Sequence, residues 1–199
     1  MPIYNAPLAD MKFILNDVFN ADQFWQSNEN LAHVDSATAE AILEEMAKFA
    51  QNVTLPLNRT GDEEGATFSN GAVTTPAGFK EAFKQYAEGG WIGLAADEEW
   101  GGQGMPKMLT VLADEMLFAT NPSFMLYPLL SVGAGMALNS YASQEQKETY
   151  LPKIYSGEWS GTMCLTEPHA GTDLGIIKTK AERNEDGTYN ITGTKIFIT

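Results

Sequence analysis

The sequence is poor in cysteine and in basic residues. Its 199 residues include a single cysteine, Cys164, and 12 lysines and arginines against 26 acidic residues, so the formal net charge is −14. One cysteine cannot form an internal disulfide, and it favours a reducing cytoplasm as the compartment. A strongly negative protein repels phosphate backbones and anionic membrane surfaces. These scarcities argue against nucleic-acid binding and against a disulfide-stabilised secreted domain.

Long uninterrupted apolar runs are also lacking. Residues 116–144 carry no charge, but they include Pro122, Pro128, Gly133 and further polar residues, too many for the ~20 apolar residues of a membrane span. This stretch therefore predicts a buried central helix and no membrane span. The first ten residues have no basic region followed by an apolar stretch, so no signal peptide is expected.

Motifs for metals and nucleotides are missing as well. The sequence has no clustered metal ligands, no Walker loop and no dinucleotide-binding glycine pattern. His33 and His169 lie far apart and are interpreted as surface or hydrogen-bonded residues. Cys164 lies in an apolar run without a basic neighbour to activate it, which predicts an inert, buried thiol in a strand.

Helical periodicity dominates the first three quarters of the chain. Pro56 is predicted to end the second helix, and Ser143 with Gln146 has the capping-box pattern that opens the last one. Helices are predicted, in chain order, over residues 11–19, 39–53, 75–89, 106–117, 124–138 and 143–156.

The pattern changes after Gly157. Alternating residues on either side of Asp186-Gly187 predict a hairpin, and residues 195–199 predict a further strand. We therefore expect a mainly α fold, with a helical domain over residues 1–157 and an incomplete β domain over 158–199. A last strand with an unpaired edge is a poor independent unit, so we expect the chain to be truncated.

The candidate chemistry lies in residues 163–173. An apolar strand is predicted to end at Thr166-Glu167-Pro168 and to be followed by a small-residue loop with two hydroxyls. Such a loop can hold a polar, partly anionic ligand on its free backbone amides. The residues alone favour an ordinary structural turn over a binding loop, and both interpretations stay open.

Four segments, in matching order, resemble the acyl-CoA dehydrogenase family. The third of them resembles that family's flavin-contacting signature. In chain order they read EEWGGQG at 98–104, LPKIYSGE at 151–158, CLTEPHAGTD at 164–173 and ITGTKIFIT at 191–199. Residues 1–8 and 56–65 are most similar to the longer bacterial members, some of which act on 3-methylthiopropanoyl-CoA.

The resemblance implies a fold and a reaction. The implied fold is an N-terminal helical domain, the opening strands of a β-barrel domain, and a C-terminal helical domain that this chain lacks. The implied reaction is α,β-dehydrogenation of an acyl-CoA thioester with FAD as cofactor and an electron-transfer flavoprotein as acceptor. The full-length protein is expected to be a homo-oligomer.

The resemblance also implies contact residues. Thr166 is expected to hydrogen-bond the isoalloxazine edge, and Thr172 to lie near the thioester and pantetheine arm as well as the cofactor. The family usually has tryptophan where Phe197 stands and a small residue where Ile176 stands. The expected cofactor-binding residues are Met163, Leu165, Thr166, Thr172, Phe197, Ile198 and Thr199.

The predicted helix over 124–138 is expected to border the acyl chain. It would contribute Leu129 and Gly133 to the substrate site, because Gly133, Ala134 and Gly135 leave a groove where larger side chains would fill the space. Close packing between helices is the alternative explanation of these small residues.

No catalytic residue is assigned to this chain. The family's catalytic glutamate belongs to the C-terminal helical domain, and Glu167 and Asp173 are expected to accept hydrogen bonds instead. Two alternatives remain: an acyl-CoA oxidase on the same scaffold, and a non-catalytic helical interaction module whose loop is inherited structure. Absence of bound flavin would favour the module.

Overall fold

The chain divides into two parts. The computed structural model describes residues 3–199, and the division falls between Gly161 and Thr162. We call residues up to 161 the helical unit and residues 162–199 the hairpin unit. Met1 and Pro2, part of the segment considered above for a signal peptide, lie outside the described residues.

The helical unit is built from α-helices, two π-helical segments, two 3-10 turns and one β-hairpin. Within the described residues these elements are α1 (Leu8–Phe13), a π segment (Ile14–Val18), α2 (Ala21–Gln26), α3 (Ser36–Phe49), a π segment (Ala50–Thr54), α4 (Leu55–Glu64), β1 (Thr67–Ser69), β2 (Ala72–Thr74), α5 (Phe79–Glu88), 3-10 turns (Trp91–Gly93, Glu98–Trp100), α6 (Lys107–Thr120), α7 (Pro122–Tyr141) and α8 (Gln144–Tyr155).

The prediction that Pro56 ends a helix is wrong. The chain passes from α3 through the π segment Ala50–Thr54 directly into α4, whose first turn contains Pro56. The residues before Pro56 are already helical, so its missing N–H interrupts the hydrogen-bond ladder to the preceding turn. The π segment shifts the hydrogen-bond register just before the proline, and the helix continues.

Two other boundaries test the signals at helix ends. Ser143 and Gln146 form the predicted capping box at the start of α8, with both reciprocal hydrogen bonds present. α5 begins at Phe79 rather than at Thr75, because Gly78 takes a left-handed conformation with φ of 85° immediately before it. A left-handed residue cannot belong to a right-handed helix, so the three residues after Thr75 stay outside it.

Buried side chains of α3 and α6 form the centre of the helical unit. Leu43 and Met46 of α3 share one buried cluster with Leu109, Met116 and Leu117 of α6. Burying side chains of this size contributes about 1.5–3 kcal/mol each. This cluster holds α6, and with it the start of the next helix, in a fixed position.

A buried polar junction fixes the start of α7. Asn121 accepts a hydrogen bond from the Phe124 N–H at 3.0 Å and donates one to the Thr54 carbonyl at 3.2 Å. The hydroxyls of Thr54 and Thr120 lie 2.8 Å apart. Because buried polar groups are costly when unpaired, this network ties α7 to the junction between α3 and α4.

The charge-free helix α7 is buried on one face only, so its prediction as a buried central helix is wrong in part. Phe124, Met125, Pro128, Ser131 and Gly135 are buried, and the exposed residues include Leu126, Met136 and Tyr141. Absence of charge does not by itself bury a helix: packing of one face suffices, and the other face stays apolar and accessible. In the described part of the chain, no helix meets the length and hydropathy needed to cross a membrane.

The hairpin unit contains the predicted hairpin but not the predicted flanking strands. β3 (Lys180–Arg183) pairs antiparallel with β4 (Tyr189–Thr192) across a turn at Asp186-Gly187. Residues 163–165 and 195–199 are irregular, because no described neighbour offers either segment a ladder of hydrogen bonds. Cys164 is exposed, which corrects its prediction as a buried strand residue.

Candidate functional site

The segment 163–173 is an irregular loop closed by a tight turn. Glu167 and Ala170 exchange two backbone hydrogen bonds of 3.0 Å, one in each direction. The Asp173 carboxylate accepts from the Gly175 N–H at 2.9 Å and starts a 3-10 turn over Leu174–Ile176. The His169 Nε2 lies 3.1 Å from the Ile176 carbonyl, which can only accept, so this nitrogen carries the proton. The loop is therefore held by its own short contacts.

Most side chains predicted to contact the cofactor are accessible. Met163, Leu165, Phe197 and Ile198 are 40% to 90% exposed, and Thr166 is half-buried. Thr172 and Thr199 are also exposed. Phe197 has a φ of 53°, a left-handed conformation that is a genuine outlier for a bulky residue. This unit thus presents large apolar side chains beside hydroxyl groups.

Two of the predicted segments come together. The Ile196 N–H donates to the Thr166 carbonyl at 2.9 Å, and the Lys195 Nζ donates to the Leu165 carbonyl at 2.9 Å. These contacts bring residues 163–166 beside residues 195–199, although Leu165 and Lys195 are 30 positions apart. Among the described residues, no hydrogen bond joins Thr172 to either segment.

The Glu167 carboxylate lies at the centre of this arrangement. It is 2% exposed and accepts from the Lys178 N–H at 2.9 Å, the Thr179 N–H at 3.0 Å and the Lys195 Nζ at 2.9 Å. The His169 Nε2 lies 3.4 Å from its other side. Hydrogen bonding from Thr179, then from the Lys178 amide and the Lys195 ammonium, holds the pKa of Glu167 well below its ordinary value. Glu167 is therefore ionised, and its carboxylate oxygens accept hydrogen bonds, as predicted for this residue.

Lys195 is the residue that sequence reasoning missed. It lies 28 positions from Glu167 and 30 from Leu165, so no local spacing reveals the contact. The one available signal is chemical. A buried carboxylate next to Pro168 is stabilised by a cation, and the sequence that follows it contains few lysines. In sequence terms Lys178, Lys180 and Lys195 are equal candidates for that partner.

The predicted substrate residues lie on α7 in the helical unit. Leu129 is half-buried, whereas Gly133 is exposed and a Cβ added to it would meet nothing within 4 Å. At Gly135, in contrast, an added Cβ would lie 2.6 Å from the Tyr155 Cε1. Close packing therefore explains Gly135 but does not explain Gly133 within this unit.

Metal chemistry has no support in the described residues. Across residues 3–199, no three histidine, cysteine or acidic side chains come together in a way that could hold an ion. His33 approaches only Glu98, with its Nε2 4.0 Å from a carboxylate oxygen.

Comparisons with known proteins agree on one family. Residues 36–158 match the family model described as acyl-CoA dehydrogenase, N-terminal domain. A 3-methylmercaptopropionyl-CoA dehydrogenase from Ruegeria pomeroyi is 41% identical over 98% of this chain. The resemblance predicted from the four segments is confirmed. The chain spans about a third of the length of the curated relatives it matches.

Solved structures show the same fold. Butyryl-CoA dehydrogenase from Megasphaera elsdenii superposes with a TM-score of 0.70 at 27% identity, over 80% of this chain and 40% of that one. An acyl-CoA dehydrogenase complexed with FAD from Bacillus anthracis gives 0.69 at 28% identity, over 84% of this chain and 27% of that one. The predicted mainly α fold class is confirmed.

Acid should loosen the loop through Glu167. A carboxyl whose folded pKa is lowered contributes stability that is present above its unfolded pKa of about 4.3 and is lost as the pH falls toward the folded value. We expect the Lys178 and Thr179 amides to lose protection against hydrogen exchange below about pH 4. Glu167→Gln should weaken this protection at neutral pH already, for whichever of the two amides faces the glutamine NH₂.

An internal control is available in the same unit. The Thr188 N–H donates to Asp186 at 2.9 Å and has no contact with Glu167. Its protection should be unchanged by Glu167→Gln. Equal protection of the Lys178 and Thr179 amides in the variant and the wild type would contradict the assignment.

Proposed function

This chain belongs to the acyl-CoA dehydrogenase family, and from that membership we propose that it forms the N-terminal third of an FAD-dependent acyl-CoA dehydrogenase. The observation that carries the proposal is the meeting of residues 163–166 with residues 195–199. These are the two segments that match the family's flavin contacts, and together they present apolar side chains and hydroxyls on the hairpin unit.

The side chains of this region fit a flavin. An isoalloxazine ring has two apolar faces and a polar edge, so its site needs flat apolar contacts next to hydrogen-bonding groups. Met163, Leu165, Phe197 and Ile198 supply accessible apolar surface, and Thr166 supplies a hydroxyl between them. Phenylalanine at 197 provides less stacking area than tryptophan but keeps an aromatic face.

In this proposal the chain binds and orients FAD and the acyl thioester, and it does not carry out the proton transfer. When bound, FAD would accept a hydride from the β-carbon of the acyl thioester. Thr166 would hydrogen-bond the polar edge of the ring, the apolar side chains would exclude water from its faces, and Thr172 would lie near the thioester. Fixing the reacting groups in this way is a large part of catalysis.

The catalytic base would come from outside these residues. A general base needs a pKa near the working pH and access to the substrate proton. Glu167 has neither, because it is buried among its donors and its pKa is held low. Asp173 is occupied by the Gly175 amide. We therefore assign no catalytic role to either carboxylate.

The substrate would be an acyl-CoA thioester. The 41% identity to a 3-methylmercaptopropionyl-CoA dehydrogenase favours a short, sulfur-containing acyl group as the first one to test. An electron-transfer flavoprotein would take the electrons, and the whole protein would be a homo-oligomer, as the family resemblance implies. The single cysteine supports the cytoplasm as its compartment.

The reaction itself tests the proposal. The whole protein that contains this chain should bind FAD, and its visible flavin absorbance should fall when an acyl-CoA is added without oxygen. Anaerobic titration with 3-methylthiopropanoyl-CoA and butyryl-CoA measures this directly. A protein that cannot be loaded with FAD would contradict the proposal and favour the non-catalytic module.

The same preparation distinguishes a dehydrogenase from an acyl-CoA oxidase by how the reduced flavin is reoxidised. A dehydrogenase that is reduced by substrate should reoxidise slowly in air and rapidly with an electron-transfer flavoprotein. Hydrogen peroxide formed as fast as the flavin is reduced would identify an acyl-CoA oxidase.

We also propose that α7 borders the acyl chain at the half-buried Leu129 and the exposed Gly133. In Gly133→Leu the new side chain would fill the space proposed for the acyl chain. Each substrate methylene that is no longer buried should lower the binding free energy by about 0.8 kcal/mol, which is about fourfold in kcat/KM. We expect kcat/KM to fall selectively for longer acyl-CoA substrates, with the melting temperature unchanged, because an added Cβ meets nothing.

Gly135→Leu is the matched control on the same helix. Its side chain would collide with Tyr155, so kcat/KM should fall equally at every chain length and the melting temperature should drop. If Gly133→Leu behaves in the same way as Gly135→Leu, the acyl-chain role is wrong and packing explains both glycines.

A further inference from the structure

Two hydrogen bonds join residues 163–166 to residues 195–199. Among the described residues, the hydrogen bonds that join them are the one from the Ile196 N–H to the Thr166 carbonyl and the one from the Lys195 Nζ to the Leu165 carbonyl. Neither segment is part of a strand, so no ladder keeps them in register. Beyond the single backbone hydrogen bond, their relative position depends on side chains.

Lys195 has the geometry to set it. Its ammonium donates to the Leu165 carbonyl and to the Glu167 Oε1, each at 2.9 Å, and its side chain is 18% exposed. A lysine side chain is flexible because it has a four-carbon stem. Two simultaneous acceptors on one loop hold this one in place. The backbone of residue 195 is thereby held two positions before Phe197.

Glu167 is held in turn by the start of the hairpin. The Lys178 N–H donates to its Oε2 and the Thr179 N–H to its Oε1. One carboxylate therefore joins three stretches: its own loop, the residues before β3, and the residues after β4. Removing any donor would leave a buried charge short of partners, which is costly.

We propose that Glu167, acting through Lys195, is a positioning residue that holds residues 195–199 against residues 163–166 at the separation that flavin contact requires. This inference rests on the proposed function, because it concerns the same flavin site. It assigns to Glu167 and Lys195 a role without contact to flavin or substrate.

A merely structural role would give a different result. If the pair only stabilises the hairpin unit, its loss lowers the melting temperature and leaves the FAD affinity of the folded protein intact. If the pair positions the contact segments, FAD affinity falls and the visible spectrum of bound flavin changes in protein that is still folded. The two roles therefore separate on FAD binding measured beside thermal stability.

The test uses Lys195→Met, Glu167→Gln and the double variant in the whole protein. Methionine keeps the length of the lysine stem but removes the ammonium. Glutamine keeps the shape of glutamate but must turn its NH₂ toward one of the two backbone donors. Lys180→Met is the matched control, since Lys180 is an exposed lysine of the same hairpin.

FAD dissociation constants, flavin spectra and melting temperatures of the FAD-free forms are measured for each protein. We expect each single variant to weaken FAD binding about tenfold, the scale of one hydrogen bond to a charged group. The double variant should be no weaker than the weaker single variant, because the two residues act as one unit. Lys180→Met should bind FAD as the wild type does.

Each outcome decides one of the two claims. Unchanged FAD affinity and spectrum in both single variants would overturn the positioning role, even if their melting temperatures fall. Failure of the wild type to bind FAD would overturn the proposed function itself. If Glu167→Gln does not fold, Lys195→Met still decides, because it leaves Glu167 with both of its backbone donors.

Discussion

A carboxylate can leave water only if donors replace the water, and in the hairpin unit that requirement is met at Glu167. Its donors come from residues before β3 and after β4, so the ends of the hairpin cannot separate from the loop without leaving a buried charge unpaired. Beside this buried centre, the side chains of Met163, Leu165 and Phe197 are exposed. The unit thus combines one rigid polar centre with an accessible apolar surface.

Local sequence signals reveal elements whose causes are local, although the β1–β2 hairpin was not predicted. The capping box at Ser143 and Gln146 opens α8 because both hydrogen bonds form within one turn. Asn70-Gly71 would have revealed the β1–β2 hairpin in the same way, since both residues take the left-handed conformation that this pair favours. Pro56 misled because the helical stretch continues through it after a π segment, and that π segment cannot be read from the sequence.

The candidate site could be predicted only in part. Motif resemblance predicts Thr166 and Phe197 as contact residues, but nothing in their spacing shows that their segments meet. The segments meet through the Ile196–Thr166 backbone hydrogen bond and through Lys195, whose contact with the buried Glu167 exists only in the folded chain. In the helical unit, likewise, the different surroundings of Gly133 and Gly135 follow from where Tyr155 packs, and the sequence alone does not distinguish the two glycines.

The central claim is that residues 163–166 and 195–199 form one flavin-contacting surface. The most direct measurement is photolabelling of the whole protein with FAD that carries an azide on its isoalloxazine ring, followed by mass spectrometry of the labelled peptides. We expect label in peptides from both segments, and loss of that label when excess FAD competes. Label confined to peptides outside both segments would contradict it.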